Sequence, residues 1–234
     1  MTNFQRARSE EQREVRRRAI LDTAAAMLEE MPIGEISLNE LSRRVGLAKS
    51  NVLRYFESRE AILLELLDRA WRQWVADLPA LAHEGIDQDA PVTRRAEQFA
   101  AVIAGSLAQR RVLCDLLSAQ AGVLEHNVSP QVAARYKRAA VANVVDVSAL
   151  AHRHLPELGD SAPQLTAAMI MAVGAVWTHA RPSPAMLAAY EADPSLTAFK
   201  LDFVTALEEM LATLTAGTIA RASLPGRSPK SRPV

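Results

Sequence analysis

Apolar residues recur every three or four positions along most of the chain, which is the spacing of one face of an α-helix. The first such stripe consists of Ile20, Ala24, Met27, Leu28 and Met31. Pro32 and Gly34 follow this stripe and are expected to end its helix. No run of residues alternates apolar and polar positions as a strand would, and no segment repeats. The pattern therefore predicts an all-α protein.

Two short helices are predicted over residues 37–56. Ser37 opens the first helix, and Glu40 stands three residues later, which is the spacing of a capping box. Gly46 is expected to end this helix, since glycine readily adopts the left-handed conformation of a C-terminal cap. A second helix is predicted from about Ala48 to Phe56. The apolar faces that would dock this pair on the first helix are Leu38, Leu41, Val45, Leu47, Val52 and Phe56.

Ser58 is predicted to cap a fourth, longer helix that ends at Pro79, because proline lacks the N–H group that a helix interior needs. Further helices are predicted at 92–109, 111–122, 130–154, 163–179 and 196–220. Residues 181–194 are predicted to form a proline-bounded insertion with one short helical turn. The domain organisation expected from this pattern is a head at 1–58, a body at 59–220, and a disordered basic tail at 221–234.

The 234 residues carry no net charge, but their charges are unevenly distributed. Residues 1–18 hold six arginines against three glutamates, a net charge of +3, and residues 36–54 also have a net charge of +3. Residues 61–216 hold 12 basic and 17 acidic residues, a net charge of −5. This distribution is typical of a polyanion-binding head on a body that does not bind polyanions. Ordinary solvated surface charge is the alternative interpretation.

Composition narrows the class of protein further. The single cysteine, Cys114, excludes an internal disulfide and fits a reducing cytoplasm. The charged N-terminus lacks the apolar core of a signal peptide, and the apolar run 165–177 is too short to span a bilayer, so no membrane partner is expected. The five histidines lack metal-ligand spacing, and no nucleotide-binding or catalytic motif is present. We therefore expect neither a metal nor another cofactor.

A capped helix, a glycine-containing link and a second short helix are the pattern of a helix-turn-helix, whose second helix enters the DNA major groove. The polar residues that remain off the apolar face are Lys49, Ser50, Asn51, Arg54 and Tyr55. Asparagine pairs with adenine edges, and arginine or lysine pairs with guanine. Ser37, at a helix start, offers its hydroxyl and free backbone N–H groups to a phosphate. Any helical hairpin with a basic, solvated face is the alternative.

The run ISLNELSRRVGLAKSNVLRYFESREAILLELL, preceded by RRAILDTAAAMLEE, resembles the DNA-binding domain of TetR-type repressors over about residues 12–67. The resemblance implies an all-helical homodimer that binds double-stranded operator DNA and releases it when a small-molecule effector binds the larger C-terminal domain. It also implies that DNA is faced by Ser37, Lys49, Ser50, Asn51, Arg54, Tyr55 and Arg59. The sequence departs from the family pattern at Ala48, where a serine or threonine cap is frequent, and at Leu53, which replaces a tyrosine.

The helices at 163–179 and 196–220 are apolar on more than one side, so each needs two partners. One partner is expected to be the chain's own core and the other a second subunit; a monomer with a wide core is the alternative. The candidate dimer-interface residues are Ala168, Gly174, Phe203, Leu207, Met210 and Leu214. Candidates for an apolar effector pocket are Trp74, Phe99, Cys114, Met169, Trp177 and His179, with Met186 and Tyr190 as further possibilities. Plain core is the alternative for most of them.

Three functions compete on this pattern. A ligand-responsive transcriptional regulator, acting as a repressor, accounts for both the basic head and the large apolar body. An architectural DNA-binding protein would not need an acidic body of this size, and a helical-bundle enzyme would leave the basic helix-turn-helix unexplained. The sequence therefore favours the first function.

Overall fold

The structure is a computed structural model that describes the backbone of residues 2–224 and the side chains of residues 10–198 and 200–224. Within this range the chain forms ten α-helices and no strand, which confirms the all-α prediction. They are α1 (Thr2–Glu30), α2 (Leu38–Val45), α3 (Lys49–Val52), α4 (Arg59–Gly85), α5 (Val92–Ala108), α6 (Arg111–Ala119), α7 (Pro130–His154), α8 (Ala162–His179), α9 (Pro184–Ala192) and α10 (Phe203–Ala222). A π-helical turn, Gln120–Leu124, extends α6, and 3-10 turns lie at Ile33–Glu35, Pro156–Ser161 and Pro194–Phe199.

The head consists of α1, α2, α3 and the first turns of α4. The predicted stripe of α1 is buried against the other helices, except that Met31 is only half-buried. Ser37 caps α2, where its hydroxyl accepts the Glu40 N–H at 3.1 Å. Gly46 ends α2 in the left-handed conformation, with φ of 71°. The turn between the two short helices is therefore built as the sequence predicts.

The second helix of this pair is shorter than predicted. Helix α3 ends at Val52, and residues 53–55 continue as a turn in which the Tyr55 and Phe56 N–H groups bond back to the Val52 carbonyl. Ala48 precedes α3 and supplies no side-chain cap, and the Asn51 N–H of the first turn bonds to the Ala48 carbonyl at 2.8 Å. Val52 and Phe56 are nevertheless buried, which holds the segment on the head.

Helix α4 connects the head to the body and is longer than predicted. It continues through Pro79 to Gly85, and its 27 residues span about 40 Å. The predicted stop at Pro79 is wrong because Leu78, just before it, and Ala82, three residues after it, are both buried and keep the helix packed. Pro79 itself is exposed, so the helical hydrogen bond that proline cannot donate is missing on the side of α4 that faces solvent.

The body packs α4 against α5, α6 and α7, with α8 lying against α6 and α7 and α10 against α5 and α8. One continuous cluster of buried apolar side chains runs from α1 of the head to α10. Two pairs of buried polar groups lie inside it: the Trp74 indole N–H donates to the Ser106 hydroxyl at 2.9 Å, and the Ser148 hydroxyl donates to Thr166 at 3.0 Å. The Trp71 indole N–H and the Tyr136 hydroxyl are buried with no hydrogen-bond partner among the described residues. The body is therefore a helical bundle, and α4 forms one of its walls.

The segment between α8 and α10 is more helical than predicted. Ser183 caps α9 by accepting the Met186 N–H at 3.3 Å, and none of the nine residues of α9 is buried. Asp202 caps α10 by accepting the Thr205 N–H at 2.9 Å, so α10 starts at Phe203 and not at residue 196. Residues 221–222 of the predicted disordered tail belong to α10, and residues 225–234 lie outside the described residues.

Helix α10 combines an apolar composition with a large exposed surface. Within the described residues it is the one helix long and apolar enough to cross a membrane, with a mean hydropathy of 1.2 over its best window. Only 17% of that window is buried in the chain, and Leu207, Leu211 and Thr215 are its buried residues. The composition alone does not separate a membrane helix from a soluble helix that needs a further partner.

The left-handed turn at Gly46 predicts a difference between two glycines of the head. A Cβ atom at either Gly46 or Gly34 would meet no heavy atom within 4 Å, and Gly46 alone of the two has a positive φ. Gly46→Ala should lower the free energy of unfolding by about 1–2 kcal/mol, because an L-residue is strained in that conformation. Gly34→Ala is the matched control and should leave it within about 0.5 kcal/mol or raise it slightly. Equal urea-unfolding curves for the two variants would contradict this account of the turn.

Candidate nucleic-acid interface

The exposed side of α3 carries the residues predicted to read bases. Lys49, Ser50, Asn51 and Arg54 are all exposed, while Val52 on the opposite side is fully buried. Tyr55 is half-buried, so its ring rests on the head. The structure thus brings five predicted positions to one surface, with the side chains that can pair with base edges pointing to solvent. Their contact with DNA stays a prediction.

Two other predicted positions are already engaged by the protein. The Ser37 hydroxyl caps α2, although the residue remains exposed at the helix start. The Arg59 guanidinium donates to the Ile36 carbonyl at 2.9 Å and pairs with Glu60 at 3.0 Å. Arg59 therefore connects the start of α4 to the loop before α2, and its expected contact with DNA stays a prediction.

Acidic partners neutralise part of the positive charge that the sequence places in the head. Glu40 pairs with Arg43 at 2.6 Å and with Arg44 at 2.8 Å, and Arg44 also reaches Glu30 at 2.5 Å. Hydrogen bonds from Arg43 and Arg44 lower the pKa of the Glu40 carboxyl to about 2. The second hydrogen bond of the predicted capping box, from the Ser37 backbone N–H to the Glu40 carboxylate, is absent, because that carboxylate binds these two arginines. The arginines of α2 therefore contribute little net positive charge to the surface.

Lys49 and Arg54 differ from the arginines of α2. Neither forms an ion pair with any described side chain, and both are exposed. The uncompensated positive charge of the helix pair is thus concentrated on α3 and the turn that follows it. This is the distribution expected of a surface that meets phosphates and bases.

Arg17 of α1 holds this surface in place, and sequence reasoning missed it. Its guanidinium donates to the Tyr55 carbonyl at 2.7 Å, lies 4.4 Å from the centre of the Phe56 ring, and pairs with Glu65 of α4. One side chain therefore joins α1, α4 and the end of residues 49–56, which are called the recognition segment below. A signal was present in the sequence, because Arg17 continues the buried face of α1 through Leu21 and Ala24, and a charged residue on a buried face needs partners.

The same region connects the head to the body. The Glu57 carboxylate accepts the Ser129 N–H at 2.6 Å, at the start of α7. Glu65 lies 3.7 Å from Arg135 of α7 as well as against Arg17. The N-terminal part of α7 therefore contacts the head through two polar contacts, one to Glu57 just before α4 and one to Glu65 within α4.

The candidate effector-pocket residues lie mainly in the packed core. Trp74, Phe99, Cys114 and Met169 are each at most 1% exposed, on α4, α5, α6 and α8. His179 and Met186 are exposed and lie away from that core. An open groove of about 590 Å³ lies nearby between α4 and α5. Its lining includes Ala80, Leu81, Ala101, Val102, Gly105 and Ser106.

Trp177, another candidate, is held by polar and aromatic contacts. Its indole N–H donates to Asp115 at 2.7 Å, and Arg181 also donates to Asp115 at 2.8 Å. The Phe203 ring meets the Trp177 ring edge-on at 4.8 Å between centroids. These contacts account for the position of Trp177 without a ligand.

The candidate dimer residues fall into two groups. Leu207 is fully buried in its own chain, and a Cβ on Gly174 would lie 3.4 Å from the backbone of α6, so these two residues serve internal packing. Their assignment to a subunit interface is corrected by this burial. Met210 is 44% exposed, and Ala168, Phe203 and Leu214 are half-buried. Met171, which was not among the candidates, is 69% exposed on α8.

A capped helix, a left-handed glycine turn and an exposed basic segment on a larger helical body define a helix-turn-helix DNA-binding protein. The family model described as "Bacterial regulatory proteins, tetR family" matches residues 20–66. The model described as "Tetracyclin repressor-like, C-terminal domain" matches residues 68–222. The chain therefore belongs to the TetR family of transcriptional regulators.

Individual relatives match mainly over part of their length. The chain is 41% identical over 71 residues to the HTH-type transcriptional regulator EthR of Mycobacterium tuberculosis, covering 30% of this chain and 33% of that protein. It is 42% identical over 53 residues to EthR of Mycolicibacterium smegmatis, covering 23% and 24%. The matched part thus spans about a third or less of these curated relatives. The structure of the fatty acid degradation regulator FadR from Bacillus halodurans matches with a TM-score of 0.50 and 12% identity, over 85% of this chain and 97% of that one.

The packing around Cys114 predicts the reactivity of the only thiol. Burial raises the pKa of the Cys114 thiol to about 12, and the neighbouring Asp115 carboxylate adds to the effect. Because the thiolate is the reactive form, iodoacetamide at about pH 8.5 should leave native Cys114 unmodified and alkylate it fully in urea. Mass spectrometry of the two samples gives the readout. Rapid alkylation of the native protein would show that the core between α5 and α6 is open.

Proposed function

We propose that the protein is a transcriptional repressor that binds operator DNA through α3 and releases it when an effector binds the body. The observation that carries the proposal is that Lys49, Asn51 and Arg54 are exposed and form no ion pair with any described acidic side chain. They lie on a segment that Arg17 holds against the head. Membership of the TetR family supports the same conclusion, since its members are DNA-binding regulators. A cytoplasmic location follows from this function, because the operator lies there.

The proposed binding mode places α3 in the major groove. Asn51 pairs with an adenine edge, while Lys49 and Arg54 pair with guanine or reach phosphates. Ser37 at the start of α2 presents its helix N-terminus to a phosphate. Two heads related by a two-fold axis then require matching half-sites about 34–36 Å apart or a multiple of that distance.

The proposed dimer forms through the exposed sides of α8 and α10. TetR-family regulators are typically dimers, and this chain leaves Met171 and Met210 largely in solvent. Only three residues of α10 are buried by the chain itself, although the helix is strongly apolar. A second copy that covers α8 and α10 would remove this apolar surface from water, which is favourable by about 25 cal/mol per Å².

The proposed effector is a small apolar molecule that binds between α4 and the helices packed on it. Trp74 is the contact that supports this location, because its ring is buried among those helices while its N–H reaches Ser106 at the wall of the open α4–α5 groove. Trp74, Phe99 and Cys114 are each at most 1% exposed, so an effector that reaches them from outside must move α4 relative to α5 or α6. Such an effector shifts DNA affinity only as far as it prefers the moved arrangement. Alkylation of Cys114 would then increase with the same compounds that release the operator.

Base readout by Asn51 can be separated from nonspecific binding. Asn51→Ala should lower discrimination by about 1–3 kcal/mol at one base pair in each half-site, because a bidentate contact is lost there. Asn127→Ala removes the same side chain from an exposed bend before α7 and should leave the profile unchanged. Binding to a library of randomised operators, derived from genomic fragments that the wild type retains, measures both variants. If the two variants bind the library alike, Asn51 does not read a base.

The dimer surface can be tested with two matched substitutions. Met171→Glu combined with Met210→Glu should convert the protein to a monomer at micromolar concentration, since it places four acidic groups in the proposed interface of the dimer. Val141→Glu combined with Val145→Glu is the control, because both valines are about 60% exposed on α7. Light scattering gives the mass of each. A monomeric wild type, or a dimer that tolerates the methionine substitutions, would refute the proposed interface.

A further inference from the structure

The N-terminal part of α1 extends beyond the helix pair and forms one wall of an open groove. The other wall is the end of the recognition segment, at Arg54 and Tyr55. The groove has a volume of about 910 Å³. Its lining consists of Glu11, Gln12, Arg13, Val15, Arg16, Ala19, Arg54 and Tyr55. The head therefore has a second surface beside the exposed side of α3.

This extension has a fixed position beside the recognition segment. Arg17 binds the carbonyl of Tyr55, a residue of the groove lining, at 2.7 Å and packs on the Phe56 ring. Arg13 lies four residues before Arg17, about 6 Å along the axis, and is therefore on the same face of α1. Arg16 follows Arg13 at the i+3 position and lines the same groove. The anchor at Arg17 thus orients both arginines toward the end of the recognition segment.

The charge of the groove is positive and largely uncompensated. Arg13, Arg16 and Arg54 form no ion pair with any side chain that the structure describes, and Glu11 is the one acidic residue of the lining. The neighbouring arginines behave differently, since Arg17 pairs with Glu65 and Arg18 pairs with Glu14 at 3.4 Å. Arg13 and Arg16, the two arginines of α1 that line the groove with Arg54, are therefore the ones that have no acidic partner among the described side chains.

We propose that this groove binds the sugar-phosphate backbone of the DNA on which α3 docks, with Arg13 and Arg16 as phosphate contacts. Arg54 and Tyr55 would hold the same strand from the opposite wall, where guanidinium and phenol groups both suit phosphate oxygens. The inference rests on the proposed function, because it requires α3 to face a duplex. The matched family model of the head covers residues 20–66, so both arginines lie before the part of the chain that it describes.

A backbone contact has a different signature from a base contact. Each neutralised phosphate adds about 0.9 to the slope of log affinity against log salt concentration, whatever the DNA sequence. A dimer that lacks Arg13 and Arg16 in both heads should lose up to about 3.6 from that slope. The corresponding loss of affinity near 0.1 M salt is at least about 60-fold if only two of the four contacts form. Operator and random duplex should be affected by the same factor.

The test compares full-length variants of equal net charge. Arg13→Gln combined with Arg16→Gln removes the proposed contacts, whereas Arg138→Gln combined with Arg153→Gln removes two exposed arginines from α7 of the body. Arg13→Lys combined with Arg16→Lys keeps the charge and should restore most of the slope. Circular dichroism establishes that each variant retains its helices. Ethylation interference should identify phosphates whose modification weakens the wild type but not the glutamine variant.

The outcomes separate this inference from the proposed function. If the wild type binds no duplex at any salt concentration, the proposed function itself fails. If the wild type binds operator and the glutamine variant keeps the wild-type affinity and slope, the groove does not hold DNA. Loss of affinity for the operator alone, with an unchanged slope, would also overturn the inference, because it would indicate an indirect effect on base readout. An equal loss in the α7 control would assign the effect to net charge and overturn it as well.

Discussion

The position of the recognition segment depends on the guanidinium of Arg17. Helix α3 has only four residues and no side-chain cap, so its own hydrogen bonds hold it weakly. Burial of Val52 and Phe56 fixes one side, and the contact from Arg17 to the Tyr55 carbonyl fixes the end. The same guanidinium pairs with Glu65, whose carboxylate also faces Arg135 of α7. A movement of α4 or α7 would therefore disturb the group that orients the DNA-facing segment.

This arrangement gives a physical route between the body and the head. Helix α4 spans both, and α7 reaches the head at Ser129 through the Glu57 carboxylate and at Arg135 through Glu65. An effector that displaces α4 would act on the head through these polar contacts as well as through the continuous apolar core. Polar contacts of this kind have defined geometry, so a small displacement can exchange partners where an apolar contact would only slide. The route is a hypothesis about coupling, and the effector's preference for one arrangement would supply its energy.

The helical architecture could be predicted from the sequence because it depends on local patterns. The stripe from Ile20 to Leu28, the cap at Ser37 and the left-handed Gly46 each follow from a few neighbouring residues. The errors arose where packing outweighed local preference. Pro79 remains inside α4 because Leu78 and Ala82 of the same helix are buried. The local preference of proline, which is what the sequence shows, contains no information about that burial.

The candidate DNA surface was predictable for a similar reason, but its charges were not. Sequence spacing shows that Lys49, Asn51 and Arg54 leave the apolar face, since that is a property of one short segment. Whether an arginine is available depends on acids brought close by the fold. Arg59 was expected to face DNA, and in the fold it pairs with Glu60 and also donates to the carbonyl of Ile36, a residue 23 positions earlier in the chain.

Residues that belong to one apolar pattern in the sequence can differ in how deeply a single chain buries them. Leu207 and Met210 lie on the same apolar helix, but Leu207 is fully buried and Met210 is 44% exposed. The sequence shows that α10 needs two partners, and only the structure shows which residues its own α5 and α8 have already covered. Met171 of α8 and Met210 of α10 both remain exposed, and exposed apolar side chains of this kind can mark the contact site of a partner. The proposed second copy of the chain would cover them and would also bring the second head that a two-fold symmetric operator requires. In such a dimer, the contact that removes α8 and α10 from water would also set the distance between the two heads.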